Sequence, residues 1–248
     1  VSAASAVRRV AARRGILASE DSRMQRIIDL SHIIEHGMTT DPRLPPARVS
    51  DVWTREESAP RYAPGVSFQI ASVELPQNTG TYIDLPYHRH EGMAGAWDFP
   101  IERLVDLPGM LIDLRETLPT RDRPLIHRHD LEGLHLKGKA VLFLTGWDEH
   151  WGSKTYGAGN HPALSRDGAE ALVDAGAALF GIDSINADDF ADLARPAHTI
   201  LLKAEIPIVE NLTGLEWLTR VKFRFTAAPA KVKGLGSFPV RAFATVGD

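Results

Sequence analysis

Apolar and polar positions divide the chain into short strand-like runs separated by loops rich in glycine and proline. Arg26 to Ser31 reads as a first short strand that ends in a polar turn. Prolines 42, 45 and 46, and later Pro60 and Pro64, mark loops. From Val66 to Leu75, apolar Val66, Phe68 and Ile70 alternate with Ser67 and Gln69, which predicts a half-buried strand. Gly109–Leu114 reads as another strand, and the apolar run within Lys139–Thr145 predicts one buried on both faces. Ser165 is a good N-cap for a helix running to about Ala175, with Gly176 as its stop. Ala178–Asp183 is a second buried strand, and this strand, helix, strand succession has the length of a parallel crossover. A short helix is expected over Thr199–Ala204, then strands at Ile206–Val209, Val221–Thr226 and Val240–Val246. The glycine-containing segment Lys231–Ser237 between the last two is expected to be a connecting loop.

The strand from Val66 leads into the stretch with the densest chemistry, Asn78 to His88. Asn78, Tyr82, Asp84 and His88 all have even numbers, and in an extended segment side chains two apart share a face. An amide, a phenol, a carboxylate and an imidazole on one face would make an active-site wall. Gly80 permits close backbone approach, and Pro86 ends the strand. An edge strand with scattered polar residues fits the same periodicity. Trp147 and Trp151, in the loop after the buried strand Lys139–Thr145, and Tyr62, in the Pro60–Pro64 loop, are candidates for holding a flat substrate. Their alternative is plain packing over the sheet edge. His127, His129 and His135 are close in sequence but interleaved with Arg128 and Lys137, which reads as solvated surface.

Composition narrows the classes. The 248 residues are 44% hydrophobic and 24% charged, ordinary for a soluble globular protein. A net charge of -4 gives no footprint for nucleic acid and no polybasic membrane anchor, and no apolar run is long enough to span a bilayer. The chain has no cysteine, so any metal must be held by His, Asp, Glu or carbonyl oxygen, and a reducing cytoplasm is the expected location. Residues 1–23 carry Arg8, Arg9, Arg13 and Arg14 and read as a flexible extension, leaving residues 24–248 as one domain.

The central stretch resembles the signature H-x-G-T-H-x-D-x-P-x-H of the cyclase family, which includes bacterial kynurenine formamidases and isatin hydrolases. Gly80, Thr81, Asp84, Pro86 and His88 keep five of its seven fixed positions. Leu144–Trp147, His161–Ser165, Gly181–Ser184, Pro196–His198, Val209–Leu212 and Gly236–Arg241 are similar to family landmarks in the expected order. The resemblance implies an α/β, swivelling β/β/α-type fold with a mixed sheet and flanking helices. It also implies a homodimer or higher homo-oligomer and hydrolysis of a small-molecule amide. By the same resemblance His88 would move protons, while Asp84, His198 and Glu210 would match the bridging and second-site metal ligands. Asn78 and Tyr82 stand where the two leading histidines should be. An amide oxygen is a weak ligand, and a phenol must first lose a proton, so the first metal site is expected to be lost.

Two classes of function follow. A hydrolase of an amide, lactam or related carbonyl compound would use His88 as general acid/base, with Tyr82 and Asn78 as hydrogen-bond donors to an oxyanion. Asp84, His198 and Glu210 would either hold one zinc or manganese ion or form a metal-free polar cluster. Without metal, a cyclase, dehydratase or isomerase working by proton transfer is equally open. The other class is a small-molecule-binding relative that has lost its chemistry.

Overall fold

The computed structural model describes residues 25–247, so the extension expected over residues 1–23 falls outside it. Its strands are β1 Arg26–Asp29, β2 Arg48–Trp53, β3 Ile70–Glu74, β4 Tyr82–Asp84, β5 Leu107–Asp113, β6 Leu125–Ile126 and β7 Ala140–Leu144. They continue with β8 Ala163–Leu164, β9 Leu179–Ile182, β10 Ile208–Glu210, β11 Phe223–Thr226, β12 Ser237–Pro239 and β13 Phe243–Val246. The α-helices are the one-turn α1 Arg55–Ser58, α2 Arg166–Asp174 and α3 Pro196–Lys203. Nine strands form one sheet in the order β1-β13-β11-β5-β7-β9-β10-β4-β12. The centre, β5-β7-β9-β10, is parallel, and the strands outside it on both sides pair antiparallel. This is the mixed α/β sheet with flanking helices that the sequence predicts.

The parallel centre is built from the continuously apolar runs, because a strand covered on both faces has no solvent side on which to place polar residues. All five residues of β7 are buried. Ala140, Leu142 and Leu144 join one core with Leu215, Phe223 and Phe225; Val141 and Phe143 join the other, with Phe180, Leu172 and Leu201, beneath α2 and α3. Burying each large apolar side chain contributes about 1.5–3 kcal/mol. Ser165 caps α2 by accepting the Gly168 N–H at 3.2 Å, and Gly176 follows the helix in the left-handed region at φ 68°. β7 and β9 are parallel on either side of this connection, as the spacing requires.

Three elements differ from expectation. The alternation from Val66 predicts a half-buried strand, but β3 pairs with β2 in a separate two-stranded ribbon in which all five β3 residues are exposed. Val52 and Val73 are 55% and 57% exposed. Alternation reports that a strand has two unlike faces, not that a second layer covers the apolar one. In addition, the expected loop ends in a strand, β12, whose pairing with β4 no local pattern signals. α3 starts at Pro196, a residue preorganised for the first helical position, so His198 lies inside the helix rather than before it. Among the described residues, no helix is long and apolar enough to cross a membrane.

Candidate active site

Three neighbouring strands assemble the site. Tyr82 and Asp84 lie two apart on β4 and are buried. β10 sets Glu210 opposite Tyr82, and β12 sets Ser237 opposite Asp84. Directly paired residues bring their side chains together on one face, so the register alone creates both contacts. The extended segment ends at Asp84, and His88 comes instead from a 3-10 turn, Pro86–His88. Asn78 lies in the loop before β4. The shared face inferred from even numbering thus covers Tyr82 and Asp84, while the flanking loop and turn bring Asn78 and His88 to the same place. A Cβ on Gly236 would meet the His88 backbone N at 2.3 Å, so the turn carrying His88 rests directly on the Gly236 backbone.

Asn78, Tyr82, His88 and His198 line a cavity of about 250 Å3. Asp84 lies beneath it, fully buried. Its Oδ1 accepts from Asn78 Nδ2 at 3.4 Å and from the Ser237 hydroxyl, and lies 3.6 Å from His88 Nδ1. Its Oδ2 faces His198 Nε2 at 3.3 Å. Burial works against the Asp84 charge, but the charge of His88 and hydrogen bonds from His198 and Ser237 outweigh it and hold the carboxyl below the usual range.

An ionised Asp84 accepts only, so the single Ser237 proton goes to it. Ser237 Oγ must then accept the Nδ1–H of His88, with which it makes a 2.7 Å contact. The neutral His88 ring therefore carries its free lone pair on Nε2.

The second half of the cluster is centred on His198. Its Nδ1 donates to Asp188 Oδ2 at 2.6 Å, and its Nε2 lies 3.5 Å from Glu210 Oε1 as well as 3.3 Å from Asp84. Burial disfavours the imidazolium, but the hydrogen bonds to Asp188 and Asp84 and the charge of Glu210 outweigh it and hold the ring at about 10. Asp188 is itself fixed by the backbone N–H groups of Ala197 at 2.6 Å and His198 at 3.1 Å. Glu210 Oε1 accepts the Ala187 N–H at 2.5 Å, and Oε2 accepts the Tyr82 hydroxyl. Burial, reinforced by the charges of Glu210 and Asp84, pushes the Tyr82 phenol well above its ordinary value. The phenol stays protonated, and its proton is committed to Glu210.

None of the three aromatic candidates lines this cavity, although Trp151 lines a second space that shares Thr40 with it. Trp147 lines a separate space with Arg115 and Pro119, Trp151 stacks on His32 at 3.7 Å, and Tyr62 packs edge-on against Phe68 at 5.5 Å. Loop position alone cannot tell a pocket wall from a packing contact.

Residues 28–189 match the family model named Cyclase. The chain belongs to the Cyclase family. Over 220 residues this Cyclase-family chain is 27% identical to a kynurenine formamidase of Bacillus anthracis, covering 87% of this chain and 95% of that one. A kynurenine formamidase of Salinibacter ruber is 31% identical over 184 residues, 71% of this chain and 79% of the relative. Among solved structures, an isatin hydrolase bound to the product analogue thioisatinate superposes with a TM-score of 0.77 at 19% identity over 100% of both chains. Isatin hydrolase A from Labrenzia aggregata, bound to benzyl benzoate, gives 0.76 at 21% identity over 90% of this chain and 94% of its own.

Within the Cyclase-family frame, the metal question turns on the donors present. Donors about 2.0–2.2 Å from a tetrahedral ion lie roughly 3.4 Å apart. His198 Nε2 sits 3.3 Å from Asp84 Oδ2 and 3.5 Å from Glu210 Oε1, separations of the size that two ligands of one ion would have. The Asp188 contact at His198 Nδ1 is the usual support of a metal-binding imidazole. Ligand atoms of Asp84, His88 and His198 also lie within 4.8 Å of one another. A second ion is not accommodated: Tyr82 is a neutral donor, and the Asn78 amide nitrogen faces Asp84.

Sequence reasoning missed Ser237 and Asp188. Ser237 carries a weak signal as part of the Gly236–Arg241 landmark; Asp188 carries none.

Proposed function

We propose that this chain hydrolyses a carbon–nitrogen bond of a small-molecule amide, lactam or related carbonyl compound. The observation that carries the reading is the chain His88 Nδ1, Ser237 Oγ, Asp84 Oδ1, which leaves His88 Nε2 as a basic atom at the wall of the cavity. The kynurenine formamidases to which the chain is similar along most of its length support the same bond class.

In this mechanism His88 Nε2 takes a proton from water as the water oxygen bonds to the substrate carbonyl carbon. With no ion bound, the positive charge of the His198 ring and the remaining Asn78 N–H stabilise the carbonyl oxygen as it gains charge. His88 then returns its proton to the leaving nitrogen, the C–N bond breaks, and a carboxylic acid and an amine are released. One divalent ion held by Asp84, His198 and Glu210 would supply Lewis-acid polarisation and a more acidic water. Tyr82 does not act on the substrate; it holds Glu210.

A metal-free cluster is the second reading, for a cyclase, dehydratase, isomerase or binding pocket. It is favoured by the hydrogen bonds that already occupy Asp84 and Glu210. Aryl formamides and lactams assayed with metal-loaded and chelator-treated protein separate the two. His88→Gln is expected to lower kcat by about 10²–10⁴-fold. Turnover unchanged in that variant would remove His88 as the proton carrier. The homodimer implied by the family resemblance is supported by the exposed apolar residues of the β2–β3 ribbon, Val52 and Val73 among them. Light scattering tests it.

A further inference from the structure

The wall above the polar floor carries three arginines, Arg43, Arg89 and Arg195, against one carboxylate, Asp41. This is unusual in a chain of net charge -4. Asp41 is taken by Arg43, which it meets through Nη2 at 2.5 Å and Nε at 2.9 Å. Among the described residues, neither Arg89 nor Arg195 has a carboxylate within ion-pair distance.

Both free guanidinium groups are nonetheless held in place. Arg89 donates from Nε to Thr199 Oγ1 at 3.2 Å and from Nη2 to the Ala194 carbonyl at 3.4 Å. Arg195 donates from Nη1 to Asn186 Oδ1 at 3.1 Å. Its backbone lies in the left-handed region, at φ 48°, a conformation that non-glycine residues adopt only under constraint. Arg43 and Arg195 both lie over the Phe190 ring, at 4.6 and 5.2 Å from its centre. Two like charges share one aromatic platform beside a third. A guanidinium has five N–H donors, so Arg89 and Arg195 keep several for a ligand. Planar N–H forks match the paired oxygens of a carboxylate.

Resting on the amide-hydrolase reading, we infer that the substrate carries a carboxylate, which Arg89 and Arg195 bind, with Arg43 as a further positive wall, while the scissile carbonyl lies over His88 and His198. The reaction class that supplies such a substrate is N-acylation of an amino or anilino acid, and the product amine keeps its carboxylate.

The test pairs 2-formamidobenzoate with its uncharged methyl ester, using the full chain. Wild-type protein is expected to prefer the acid in kcat/KM, with a preference that shrinks as salt rises. In Arg195→Gln, and separately in Arg89→Gln, the acid-to-ester ratio should fall by about 10–100-fold, carried mainly by KM. Melting temperature confirms that each variant folds. Turnover of both compounds without charge preference, or an acid-to-ester ratio unchanged in both variants, would overturn the carboxylate subsite while leaving the hydrolase reading intact. Calorimetric binding of 2-formamidobenzoate provides a readout independent of turnover. Binding that weakens in the arginine variants without any turnover would support the subsite and count against the hydrolase. If the acid binds no better than the ester, the subsite is wrong whatever the turnover.

Discussion

Asn78 and Tyr82 separate this chain from the motif it otherwise keeps, and the two replacements act differently. Tyr82 is built into the floor: buried, protonated and donating to Glu210. Asn78 lies at the cavity wall and touches one oxygen of Asp84 at 3.4 Å. Both positions face the same carboxylate cluster, so imidazoles there would add two neutral nitrogen donors to Asp84. The double variant Asn78→His, Tyr82→His is expected to bind zinc or manganese at higher stoichiometry than the parent, up to two ions per chain. Metal analysis after dialysis checks this, and an unchanged stoichiometry would mean that the cluster has lost more than two ligands. At this scale the sequence was informative where chemistry is written in residue type and motif position, as for Asp84, His88, His198 and Glu210. It offers only the Gly236–Arg241 landmark for Ser237 and nothing for Asp188, whose roles arise from partners 149 and 10 residues away in the chain.

At the scale of elements, legibility followed the strength of local signals. β7 and β9 were evident because five and four consecutive buried residues leave no polar face. α2 was evident because its cap residue and its stop glycine bracket the helix. The β2–β3 ribbon was misjudged because whether an apolar face is covered depends on the rest of the chain. β12 was missed because three residues, one of them proline, become a strand only when β4 supplies the pairing. That short strand also governs the turn beside it. Since a Cβ at position 236 would fall 2.3 Å from the His88 nitrogen and 2.4 Å from its Cα, Gly236→Ala must displace the His88 turn. Activity is expected to fall by about tenfold or more, because a misplacement of about 1 Å costs on the order of 10²-fold. Circular dichroism should remain native-like. A fully active Gly236→Ala protein would show that the turn yields without moving the imidazole.

At the scale of the whole molecule, a buried histidine, His161, and a half-buried one, His32, both outside the Asp84–His198 cluster, tie stability to pH. Burial lowers His161 and His32 to about 4 from the ordinary 6.5, and each keeps one ring nitrogen without a partner. As pH falls through 6.5 the unfolded chain takes up protons on these rings, whereas the folded chain does not until about pH 4. Stability contributed by the neutral rings is therefore fully present above 6.5 and lost progressively between 6.5 and 4. Asp183 and Glu210, which burial raises to about 7, take up protons first in the folded chain and oppose this slope, so the share of the rings is read as a difference: across that window the Tm of His161→Gln should fall less, or rise more, than that of the parent. A His161→Gln protein with the same pH dependence as the parent would remove this residue from the account.

The bond between Ser237 and Asp84 joins residues 153 positions apart. During synthesis the growing polypeptide can lay down β5, β7 and β9, with α2 and α3 beside them, before the last strands leave the ribosome. His88 has nothing to rest on until Gly236 arrives, and its tautomer is unspecified until Ser237 follows. Fragments that stop short of Gly236 would therefore carry the central sheet without a seated His88.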